Sequence, residues 1–113
     1  MFYDIGLTPN RTDAMSHYGV ARDLHAYLAS NQIASSFQKL EKLPLEIEGE
    51  NDFKIIVEDE NLCPRYVGAI VENLTIEESP AWLKNKLKAI GLSPINNVVD
   101  ITNYILHSYG QPL

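Results

Sequence analysis

A chain of 113 residues with 45% hydrophobic and 21% charged side chains has the composition of a soluble globular protein with room for a modest core. Its 15 acidic against 9 basic residues leave a net charge of −6, which argues against a general nucleic-acid-binding surface. The lone Cys63 excludes an internal disulfide framework and cysteine-cluster metal sites. No apolar run approaches membrane-spanning length, and the Met-Phe-Tyr-Asp start lacks the basic residues of a signal peptide, so a cytoplasmic protein is expected.

In chain order, Phe2 to Leu7 carries β-favouring residues and is expected to be a short strand, ended by the turn Thr8-Pro9-Asn10. Asp13 or Ser16 then caps a helix to about Ser30, with Val20, Leu24, Tyr27 and Leu28 at helical spacing. Arg11 sits at the wrong end of that helix dipole and calls for a specific carboxylate partner. From Asn31 to Asp52 the pattern weakens. Pro44 forbids one continuous helix, and the acidic run from Glu46 to Asp52 reads as a solvated connector. A domain boundary is placed there, giving 1–50 and 51–113.

Phe53 to Glu58 and Arg65 to Leu74 read as two strands of an antiparallel hairpin turned by Asp59 to Leu62. Apolar residues on both faces of the second mark a central strand, and Gly68 marks a bulge or a close approach. Ser79-Pro80 opens a helix as N-cap and first position, Trp82, Leu83, Leu87 and Ile90 form its buried stripe, and Gly91 closes it. After Pro94 comes a last helix, ended by Gly110 and Pro112. The expected fold class is therefore α+β: antiparallel strands with packed helices, in partial domains excised from a longer polypeptide.

That last helix is unusual. Asn96 to Asn103 are all weak helix formers. On a wheel of about 100° per residue, Ile95, Val98, Val99, Ile101, Thr102, Ile105, Leu106 and Tyr109 form one arc, while Asn96, Asp100, Asn103 and His107 form a narrow polar stripe. Two accounts stay open. Asn97 caps the helix with Asp100 as a capping-box-like partner and the stripe is solvated; or the amides line a cleft that recognises a polar ligand without desolvating a charge.

Catalytic signatures are sparse. Cys63 has no nearby histidine and reads as a small packing residue. His17 and His25 are separated by roughly 12 Å of helical rise, too far to share a metal. His107 is the best acid/base candidate by its place on the stripe, although a lone surface histidine accounts for it as well. Neither nucleotide-binding glycine fingerprint is present. Charge is uneven: residues 31–60 carry −5 and residues 80–113 carry +2, from Lys84, Lys86 and Lys88 against Asp100, so any phosphate contact favours the C-terminal third.

Three segments point one way: Leu7-Thr8-Pro9-Asn10-Arg11-x-Asp13 with Gly19 to Leu24; Cys63-Pro64-Arg65-Tyr66-x-Gly68; and Pro94 to Tyr104 ending in Gly110-Gln111-Pro112-Leu113. In this order they closely resemble the β chain of bacterial phenylalanyl-tRNA synthetase over nearly the whole sequence. The resemblance implies a cytoplasmic class II enzyme of two α and two β chains that uses ATP and Mg²⁺ to attach phenylalanine to tRNA-Phe, with that chemistry in the α chain and no cofactor in this piece. It implies that 1–50 is the end of the N-terminal module and 51–113 the start of the module that edits tRNA mischarged with tyrosine. Thr102 and Asn103 match editing-pocket positions, and Asn97 is included because it opens the same motif. The pocket histidine and glutamate of the family would fall beyond Leu113. A freestanding, non-catalytic binding module is the alternative, and a self-contained editing hydrolase a third.

Overall fold

Ser16 starts the first helix: its hydroxyl accepts from the Gly19 amide at 2.9 Å, and α1 runs over His17–Ser30. This computed structural model describes residues 3–41, 49 and 52–113. A single 3₁₀ turn, Thr12–Ala14, lies against the start of α1, and a Cβ on Gly19 would stand 2.8 Å from Ala14 Cα. Only a glycine lets the turn approach that closely. The next helix, α2, covers Ala81–Ala89, and Gly91 follows it at φ +83°. The last, α3, covers Asn97–Tyr109. Its cap is Asn96, whose side chain accepts from the Val99 amide at 3.0 Å, and Gly110 at φ +76° closes it with a bond to the Leu106 carbonyl.

The chain divides into two compact units, Leu40–Thr75 and the remainder on either side of it. In the larger unit α3 packs on both α1 and α2. Its fully buried side chains are few: Ala14, Leu83 and Leu87, with Ser79 and Asp100 beside them. Of the stripe expected on α2, the two leucines are buried, while Trp82 is 54% exposed and Ile90 is also open to solvent.

The expected fold class is corrected here. Among the described residues there are helices and no strand, so the architecture is helical, not α+β with antiparallel strands. The segments expected to pair, Phe53 to Glu58 and Arg65 to Leu74, form no ladder, and the second bends at Asn73, where φ is +58°. Gly68 does mark a close approach: a Cβ there would meet the Ile55 side chain at 2.7 Å. The Asp59 carboxylate accepts from the amides of Asn61 and Leu62, so the turn forms as expected. What is missing is cover. Ile56, Val67 and Val71 are largely exposed, and two strands with no third strand or helix over their apolar faces are marginal in water. The strand expected at the N-terminus is likewise absent over residues 3–7, and Phe2 lies outside the described residues. So do Pro44 and most of the Glu46–Asp52 connector.

Candidate functional site

The start of α3 is built by four polar side chains with four different tasks. Asn96 caps, a role the sequence assigns to its neighbour Asn97. Asn97 instead stitches α3 to the strand-like segment before α2: its amide donates to the Glu77 carbonyl at 2.9 Å and its Oδ1 accepts from the Glu77 amide at 3.2 Å. Asp100 is completely buried. It accepts from the Ser79 hydroxyl at 2.5 Å and from the Ile95 amide at 2.9 Å, which satisfies the carboxylate by charge-assisted bonds. Ser79 therefore spends its hydroxyl on Asp100 and does not cap α2, whose cap position is Pro80. Thr102 returns its hydroxyl to the Val99 carbonyl at 2.8 Å, one turn back along its own helix.

Asn103 is the exception. It is half-buried, and among the described residues its carboxamide has no hydrogen-bond partner. Of the three expected site residues, Asn97 and Thr102 are engaged within the chain, and Asn103 alone keeps its donors and acceptor for something else. The polar stripe is solvated only toward His107, because Asp100 points into the junction with Ser79 and Asn96 and Asn103 are half-buried. The apolar arc is correspondingly open, with Val98 and Ile101 exposed.

A groove of about 510 Å³ lies among the three helices, lined by His17 and Tyr18 of α1, Lys86 of α2, and Tyr104, His107 and Tyr109 of α3, with aliphatic residues at its base. His17 Nδ1 donates to the His107 carbonyl at 2.9 Å, tying α1 to the end of α3. Tyr18 packs on Tyr109 with centroids 6.4 Å apart. Lys86 Nζ stands 5.1 Å from the Tyr104 centroid, 6.0 Å from the Trp82 centroid and 3.5 Å from the Tyr104 hydroxyl. Asn97, Thr102 and Asn103 do not line this groove. Sequence reading missed the cluster, although Trp82 and Lys86 share a helix face at i and i+4.

Arg11 has the partner its position demands. It bonds Asp13 at 3.1 Å and also Asp23, while Arg22 bonds Asp13 at 3.1 Å. The bond from Arg11 holds the Asp13 carboxyl below the usual carboxylate range, and the bond from Lys84 does the same for Glu78. Among the described residues no three His, Cys, Asp or Glu converge to hold a metal ion.

Comparison with known proteins agrees with the motifs. Residues 62–113 match the B3/4 domain. Along 97% of its length the chain is 53% identical to the phenylalanine--tRNA ligase beta subunit of Bacteroides fragilis and 51% identical to that of Bacteroides thetaiotaomicron, and it is 47% identical to that of Chlorobium luteolum. The sequence is thus a relative of the phenylalanine--tRNA ligase beta subunits, resembling them in one segment: it spans 14% of the length of the Bacteroides proteins. No solved structure matches. No helix among the described residues is long and apolar enough to cross a membrane.

Proposed function

We propose that this chain serves as part of a phenylalanine--tRNA ligase β subunit, with 1–50 ending its N-terminal module and 51–113 beginning its editing module. The observation that carries this reading is identity above 50% along 97% of the chain to beta subunits of that ligase. In the assembly it works with the α chain and a second β chain on tRNA-Phe, in the cytoplasm, and the ATP- and Mg²⁺-dependent charging chemistry resides in the α chain. Its own contribution is to tRNA binding and to the pocket that clears tyrosine from mischarged tRNA.

Within that pocket Asn103 is the specificity group. Tyrosine differs from phenylalanine by one phenolic hydroxyl, and a site that hydrogen-bonds a hydroxyl discriminates strongly, because an unpaired buried polar group is costly. The half-buried, unpartnered Asn103 carboxamide suits that task. Thr102 and Asn97 support it less directly: each has its hydrogen-bonding capacity committed within the chain, so both hold the helix that carries Asn103.

The test is Asn103→Ala in the full-length β subunit assembled with its α chain. Hydrolysis of Tyr-tRNA-Phe is expected to fall by about tenfold or more, the worth of one hydrogen bond to a substrate hydroxyl. Charging with phenylalanine is expected to be retained. Equal loss of both activities would assign Asn103 a structural role.

A further inference from the structure

The net charge of −6 hides a division. Leu40–Thr75 holds nine acidic residues against three basic ones, and the rest of the chain balances at six of each. Within that balanced unit the acids are mostly spoken for. Asp13 and Asp23 pair with Arg11 and Arg22, Glu78 with Lys84, and Asp100 is sealed against Ser79. Lys86 and Lys88 are exposed on α2, and among the described residues no carboxylate lies within ion-pair distance of either. Lys86 therefore presents a cation with no carboxylate beside it among the described residues, although the chain is acidic.

Lys86 stands beside two aromatic rings, Trp82, which is exposed, and Tyr104, which is half-buried. Trp82 meets Tyr104 edge to face, with centroids 5.6 Å apart, and Lys86 sits within cation–π distance of both. Tyr104 also reaches the groove that Tyr18 and Tyr109 line. Its 510 Å³ falls in the range of roughly 300–1,000 Å³ that holds a small organic molecule. An ammonium placed next to these rings and an apolar slot suits what an unpaired nucleotide presents: a phosphate for the cation and a π-face for the ring.

We propose that the α2–α3 edge formed by Trp82, Lys86 and Tyr104 is an RNA contact surface, at which the backbone phosphate of an unpaired nucleotide meets Lys86 and its base stacks on the aromatic pair. This rests on the ligase reading, since it takes the RNA to be the tRNA. It goes further by assigning the contact to particular side chains, away from Asn103.

Lys86→Gln and Tyr104→Leu in the full-length, assembled enzyme test it by tRNA-Phe binding over a salt series. Lys86→Gln is expected to weaken binding about threefold to tenfold and to lower the slope of log affinity against log salt by about 1. Tyr104→Leu is expected to weaken binding by roughly tenfold with the slope unchanged, because stacking releases no counterions. In wild type, tRNA is expected to protect Lys86 from acetylation. Lys86→Gln binding with wild-type affinity and slope would overturn the proposal. So would a Lys86 already shielded before tRNA is added, since another part of the protein would then occupy the site. Wild-type enzyme that failed to bind tRNA-Phe would instead bring down the ligase reading itself.

Discussion

Arg11 illustrates how much one side chain can organise when its carboxylate partners come from both before and within a helix. It gathers Asp13 and Asp23, and Arg22 returns to Asp13, so four charges cross-link the 3₁₀ turn to α1. The groups are exposed, so each pair is worth little on its own, and the network acts as a clasp. It has a pH signature. The folded-state pKa of Asp13 is lowered, chiefly by its bond to Arg11, relative to about 3.9 in an unfolded chain. Its contribution to stability is therefore present above the unfolded value and is lost as pH falls through the lower folded value. A carboxyl-carbon NMR titration is expected to place the Asp13 midpoint below that of an unpaired aspartate, and Arg11→Gln is expected to raise it. A midpoint unmoved by Arg11→Gln would mean that the ion pair does not persist in solution.

At the scale of elements, the junction between α2 and α3 depends on Asp100. The carboxylate has no exposure, and both its partners, the Ser79 hydroxyl and the Ile95 amide, belong to segments that lead into helices. Asp100→Ala would leave the buried Ser79 hydroxyl unpaired, at about 1–3 kcal/mol, and the part-buried Ile95 amide without its acceptor. A loss of about 2–4 kcal/mol is expected in urea unfolding, and Ser79→Ala, which strips a donor from the buried carboxylate, is expected to cost about 1–3 kcal/mol. No loss in either variant would show that the Ser79–Asp100 bond does not hold this junction.

The same element shows what sequence could and could not disclose. Ser16, Gly91 and Gly110 act through local rules, so the helix limits were legible. Asp100 is expected either on a solvated stripe or at a cleft, and neither account buries it, because a helical wheel orders residues around an axis without saying which arc meets the neighbour. Here the partner of the polar arc is Ser79, twenty-one residues upstream, and no local pattern predicts that pairing. The strands failed for a related reason. Ile55, Val57 and Ile70 fit a pleated surface, but a ladder needs something to cover it, and that is not a property of the segment itself. Asn103 enters as a site candidate through its motif alone, whereas the Lys86 cluster has no signal in the sequence, because Trp82 reads as core.

For the whole molecule, the balance of buried and exposed surface carries the argument. Only Ala14, Leu83 and Leu87 are fully buried apolar side chains among the described residues, while large ones such as Ile56, at 81% exposed, and Leu62, at 86%, stand open in the Leu40–Thr75 unit. Scattered apolar exposure is ordinary, but contiguous apolar surface on this scale marks a contact face or an aggregation hazard. The chain spans 14% of the length of its Bacteroides relatives, so the proposed setting within a β subunit supplies material to cover that face. The 113-residue chain on its own is accordingly expected to bind a hydrophobic dye such as ANS and to self-associate with rising concentration, and the same residues inside the full β subunit are expected to do neither. Burial of Ile56 and Leu62 in that larger setting would show as protection from hydroxyl-radical labelling. Equal labelling of both side chains in the short chain and in the full subunit would mean that the apolar face is a true outer surface, and the reading of this sequence as one segment of a larger fold would lose its physical support.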